Sequence, residues 1–109
     1  MQLRNLSDDE ANLLKALIKK AKISTAEDLF EKIKVKTMDD GGMGSLLLFP
    51  DGIEVQGRRI GIRASEIQFK DSDGVPVLVS LNIDNNNKLF EIDSWKMNYQ
   101  PLLKIPVFE

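Results

Sequence analysis

The chain contains neither cysteine nor histidine. Without cysteine it has no disulfide framework and no thiolate nucleophile. Without histidine it lacks the usual proton carrier of neutral pH and the commonest metal ligand. Ser-His-Asp catalysis, Cys-His catalysis and zinc sites built on Cys and His are therefore excluded. No run approaches the roughly 20 apolar residues that a helical membrane span needs. Asp8, Asp9 and Glu10 stand where an export signal would carry a basic flank and an apolar stretch, so a cytoplasmic protein is expected. Neither sign of charge dominates: 15 Lys and Arg against 17 Asp and Glu give a net charge of -2 and a pI near 5.2. That balance gives no reason to expect nucleic acid as a partner.

At 109 residues the chain is long enough for one domain, 1–109, with its own core. Its charge is unevenly spread. Lys15, Lys19, Lys20, Lys22, Lys32, Lys34 and Lys36 crowd the first third, whereas Asp71, Asp73, Asp84, Glu91, Asp93 and Glu109 outnumber Lys88, Lys96 and Lys104 in the last. One end is basic and the other acidic.

Ser7-Asp-Asp-Glu10 reads as a capping box, and Leu13, Leu14, Leu17, Ile18 and Ala21 then recur on one helical face. The pattern predicts a helix over 8–21, with acids in its first turn and lysines toward its end, as the helix dipole favours. Ser24-Thr-Ala-Glu27 repeats the capping signature and predicts a second, shorter helix over 25–32. The period then shortens to two, with Ile33, Val35 and Thr37 alternating with lysines as in a half-buried strand. Residues 39–44 form a turn and 46–49 a buried strand. Ile53 and Val55 suit a short strand inside the loop 50–57. The change of parity between Ile60/Ile62 and Ile67/Phe69 predicts a bulge near Ala64 and Ser65. Beyond the turn at 71–74, Val75, Val77, Val79, Leu81 and Ile83 face one way, and Leu78, Ser80 and Asn82 the other. Pro76 belongs at a strand start or on an edge. Asn85-Asn-Asn87 closes a hairpin with 89–95, and the prolines at 101 and 106 favour an extended tail over a helix. The expected fold class is α+β, with two N-terminal helices packed on a meandering antiparallel sheet of five or six strands.

Several motifs invite chemistry and fall short of it. Asp39-Asp-Gly-Gly-Met-Gly-Ser45 lacks the lysine and the following helix of a phosphate loop, so its glycines read as turn formers that let another backbone come close. Asp71-x-Asp73-Gly74 opens like a calcium loop but is followed directly by strand residues. Arg58, Arg59 and Arg63 make a basic spot with no interleaved aromatics, a poor nucleic-acid signal. The first helix is too short and too acidic at its start for a membrane surface. Glu91 and Asp93 share one strand face with Trp95, leaving Phe90 and Ile92 to the core. Side by side on one strand, these carboxylates do not span a cleft as an acid–base pair must. They read first as a solvated acidic face, and second as an acidic recognition strip anchored by Trp95, the surface to suspect first.

Asp40-Gly-Gly-Met-Gly-Ser45, Asp73-Gly-Val-Pro76, Leu89-Phe-Glu-Ile-Asp93, Trp95-Lys96 and Pro101-Leu102, with the opening Leu6-Ser-Asp-Asp-Glu10, resemble a family of small uncharacterised bacterial domains. Residues 50–57 fall outside that pattern. The resemblance implies no activity. By analogy of size and fold style, such domains resemble immunity proteins that neutralise a partner by binding alone. The expectation is a non-enzymatic protein-binding module for a basic protein, with no catalytic residue, metal or cofactor. Asp73, Glu91 and Asp93 would supply charge, and Trp95 and Met43 apolar contact. A homo-oligomer pairing through the 75–84 strand is the alternative, and a carboxylate- or metal-dependent enzyme a distant third.

Overall fold

A computed structural model describes residues 2–108. Helix α1 (Asp8–Ala21) begins at the expected capping box: Ser7 Oγ accepts from the Glu10 amide, and the Glu10 carboxylate accepts from the Ser7 amide. The Arg4 guanidinium donates to both oxygens of that carboxylate, at 2.7 and 2.9 Å. The same segment joins the sheet, because the Arg4 and Val35 backbones exchange two hydrogen bonds. The helix start is thereby tied to a strand by one residue.

The sheet has five antiparallel strands in the order β1-β2-β5-β4-β3: β1 (Lys34–Thr37), β2 (Leu46–Phe49), β5 (Leu89–Lys96), β4 (Pro76–Asp84) and β3 (Ile60–Lys70). One face carries Val35, Leu46, Leu48, Val77, Val79, Leu81 and Ile92, all buried beneath Leu13, Leu14 and Leu17 of α1. After a turn at Met97 and Asn98, residues 100–108 form the expected tail without regular structure, and Leu102, Ile105 and Phe108 pack against the same core. Among the described residues no helix is long and apolar enough to cross a membrane.

Four expectations need correction. The second helix is a single turn, α2 (Leu29–Lys32), and its N-cap residue Asp28 makes no side-chain cap bond. Ile33 must already be leaving helical geometry for β1, and four residues cannot repay the cost of helix nucleation without packing. Ile53 and Val55 lie in a loop, not a strand. Phe90 is not a core residue: the β4–β5 register slips between Asn82 and Ile83, and this bulge frees its ring to stack on Arg58. The Arg58 guanidinium lies between Phe49 and Phe90, at 4.7 and 4.9 Å, with Asp84 at 3.8 Å. Burial lowers the Arg58 pKa, and Asp84 opposes that shift. Finally, β4 is paired on both sides, so the 75–84 strand offers no edge to a second copy. Pro76 sits at the strand start, the other position open to a residue with no amide hydrogen. The bulge in β3 falls between Arg63 and Ser65, as the parity change requires, and a second shift lies between Ile60 and Ile62.

Leu17 is fully buried between α1 and the sheet. Leu17→Ala should lower unfolding stability by about 2–5 kcal/mol, read from the urea midpoint at unchanged slope.

Candidate functional site

Residues opposite one another across a ladder share a face, so the strand register lays out the uncovered side of the sheet in rows. Lys36, Leu47, Glu91, Asn82 and Arg63 make one row, Asp93, Ser80 and Glu66 the next, and Trp95, Leu78 and Gln68 a third. Four strand cations share this surface: Lys36 pairs with Glu54, Arg63 with Glu66 at 3.1 Å, Lys34 donates to Asn5 at one edge, and Lys70 stands at the far end of β3. Among the described residues Glu91 accepts only from the Asn82 amide, at 3.0 Å, and neither it nor Asp93 forms an ion pair. Two unneutralised carboxylates therefore stand in the middle of the face. Beside them Trp95 meets Tyr99 edge to face, with ring centroids 5.8 Å apart. Tyr99 is 68% exposed at a positive φ of 62°, on the turn that follows β5. The pair makes an aromatic ledge at the end of the acidic strip.

The other two site residues read from the sequence lie elsewhere. Asp73 turns toward the ammonium of Lys96, at 2.7 Å, on the core side of the sheet. Lys96 is only 1% exposed, and it also reaches Asp71 at 2.9 Å and the Pro101 carbonyl at 3.3 Å. The Asp71 carboxylate is equally buried. It accepts from the backbone amides of Ser72, Leu103 and Lys104 as well as from Lys96, at 2.7, 2.8, 3.0 and 2.9 Å. A buried cation and a buried anion are thus paired and also hydrogen-bonded, the condition under which such charges are tolerated. The result is a clasp that fixes the C-terminal tail across the end of β5. The calcium-like Asp71-x-Asp73 spacing brings both carboxylates onto one lysine.

The glycine turn completes this clasp. Asp40 accepts from the amides of Met43 and Ser45, both at 3.0 Å, which folds the loop back on itself. Leu102 donates to the Gly42 carbonyl at 2.9 Å, and a Cβ on Gly44 would stand 3.0 Å from the Leu102 side chain. Gly42 and Gly44 both have positive φ, so glycine is needed there for conformation and for the close approach of the tail. Met43 is half-buried, with its Sδ 3.5 Å from the Lys96 amide. It thus meets β5 at the residue after Trp95. Glu91, Asp93 and Trp95 are brought together by the fold, and Asp73 and Met43 belong to the clasp beside them.

A family model described as a domain of unknown function, DUF6984, matches residues 3–106. The chain belongs to the DUF6984 family. No curated protein and no solved structure matches it. The match takes in both the acidic strip and the clasp, so both are features of the DUF6984 region of the chain.

Sequence reasoning missed Lys96, Asp71 and Tyr99. The signal for Lys96 was available in strand parity, because Ile92, Ser94 and Lys96 fall on one face and Ile92 is core. Nothing in the sequence placed Tyr99 against Trp95, since that contact depends on the turn conformation.

Burial alone would raise the Asp71 pKa, but the Leu103 amide, the Lys96 ammonium and the Ser72 and Lys104 amides hold it at about 2, against an ordinary 3.8. A carboxylate more acidic in the folded than in the unfolded chain stabilises the fold above its ordinary pKa, and that stability is lost as pH falls through the folded value. Wild-type stability should therefore decline between pH 3.8 and about 2. Asp71→Asn should be less stable at neutral pH and show a shallower decline in that window, measured by thermal unfolding across the pH series. An identical acid limb in the variant would contradict this role.

Proposed function

We propose that the protein is a non-enzymatic binding module that takes a basic protein partner on the open face of its sheet, as an immunity-like inhibitor does. The observation that carries this reading is the pairing of two unneutralised carboxylates, Glu91 and Asp93, with the exposed Trp95–Tyr99 ledge. Each part has a physical task. Unmatched negative charge speeds encounter with a cationic surface and disfavours acidic competitors. An aromatic pair offers large, rigid contact area with a polar tip, the type of residue that dominates binding hot spots. The strand backbone beneath holds these groups at fixed spacing, so little side-chain freedom is lost on binding. Inhibition by occlusion needs only such a shaped and charged surface, in keeping with a chain that has neither cysteine nor histidine.

Asp73 and Met43 have a supporting task in this reading. Lys96 lowers the Asp73 pKa through their hydrogen bond and neutralises its charge. Met43 braces the strand end that presents Trp95. Tyr99 takes the place of Met43 as the second apolar contact.

The test is a quantitative pull-down from a lysate of the source organism, comparing wild type, a Glu91→Lys, Asp93→Lys double variant, and Glu27→Lys as a charge control on an exposed loop. One stoichiometric partner should be retained by wild type and by the control. The double variant should retain it about tenfold less or worse while still unfolding in one cooperative thermal transition, with only the modest loss of stability expected from removing the Asn82–Glu91 hydrogen bond. A complex that survives the double reversal, or no partner at all, would contradict the proposal.

A further inference from the structure

At the end of the sheet opposite the clasp, the loop after α1, the turn after β2 and the β4–β5 hairpin enclose a cleft of about 470 Å³. Its floor is Ile23, Leu29, Ile83 and Leu89. The last three are core residues, no more than 8% exposed, so the cleft opens onto the core itself and not onto a surface dimple. Protein interiors are close-packed, and a space this size is many times larger than a packing flaw. It lies within the range of roughly 300–1,000 Å³ typical of small-molecule sites.

The rim selects among ligands. It holds two cations and two anions, already matched: Lys32 with Asp28 at 3.1 Å, and Lys88 with Asp51 at 3.1 Å. Asp51 also raises the Lys32 pKa, behind the larger effect of Asp28, so the two pairs stand close enough to feel each other. A ligand of either charge therefore meets equal numbers of like and unlike charges and must disturb a pair to gain one. A neutral polar group meets no such conflict. It can bond to the Ser24 or Thr25 hydroxyl or the Asn87 amide, all of which line the same opening. We infer that this cleft binds a small uncharged molecule with an apolar body and one hydroxyl or amide group. The apolar body would cover Leu29, Ile83 and Leu89, and the polar group would remain at the rim. The site is independent of the acidic strip, which lies on the other face of the sheet.

The experiment titrates the full-length 15N-labelled protein with three probes that share one body: 2-(2-naphthyl)ethanol, 2-naphthylacetate and 2-(2-naphthyl)ethylamine. The alcohol should give saturable shifts at the amides of Leu29, Ile83 and Leu89. The acid and the amine should bind at least about fivefold more weakly, because each carries a charge to a rim with none to spare. Ala26 is exposed and lines the opening, so Ala26→Trp should block the alcohol, with Thr25→Phe as a second plug should the first perturb folding. Trp95→Ala should bind the alcohol as wild type does. Absence of saturable shifts, shifts centred elsewhere, equal binding of the charged probes, or undiminished binding to both folded plug variants would overturn the inference. None of those results bears on the open-face proposal, which the Trp95→Ala comparison keeps separate.

Discussion

The buried ammonium of Lys96 organises the end of the molecule that presents its candidate surface. An ammonium on the core side of a strand carries a large desolvation penalty unless its environment supplies both charge and hydrogen bonds. Here Asp71, Asp73 and the Pro101 carbonyl supply them together. Burial would lower the Lys96 pKa, but its two carboxylate partners outweigh burial and raise it. Asp71 in turn needs further donors, and it finds them in the tail amides of Leu103 and Lys104. Satisfying one charge thus fixes the β3–β4 turn, the end of β5 and the tail in one arrangement. The glycine turn closes the same unit, because only residues without Cβ allow Leu102 so near.

This arrangement explains how two opposed demands are met on one strand. Along β5 the even-numbered residues Ile92, Ser94 and Lys96 point inward, and the odd-numbered residues Glu91, Asp93 and Trp95 point outward. The inward set anchors the strand by apolar packing at one end and by charge at the other. The outward set is thereby held in a rigid comb with alternate residues on the same side. Asn82 and Ser80, buried on the open side between their neighbours, underlie this comb, and Asn82 steadies Glu91. The proposed binding role would draw on such fixed placement, since flexible charges lose entropy on ordering that fixed ones do not. At the far end the molecule uses a different solution. There Arg58 is sandwiched between two phenylalanine rings, and exposed ion pairs ring an apolar opening.

Much of this was legible from local pattern. The capping box located α1 to the residue, because its signal rests on side chains three positions apart. The alternation of β4 and the outward face of β5 followed from a period of two. Long-range terms were not legible. Ser24 and Glu27 have a capping signature, yet no helix forms on them, because β1 begins too soon after for the helix to extend. The outward move of Phe90 follows from a bulge, and a single strand does not reveal its register against a partner. Asp71 and Asp73 looked like a turn with a metal-like spacing, because the lysine they serve lies more than twenty positions along the chain. Tyr99 shows no pattern at all, since its partner is chosen by a turn with positive φ.

The central claim, that one buried charge network holds the tail to the sheet, is most directly tested by native-state hydrogen exchange at the amides of Leu103 and Lys104. Both donate to Asp71 and lie outside regular secondary structure. The account predicts protection approaching that of the core strands, because these amides can open only when the clasp opens. Exchange as fast as that of the 53–57 loop would show a tail resting loosely on the surface and would contradict it.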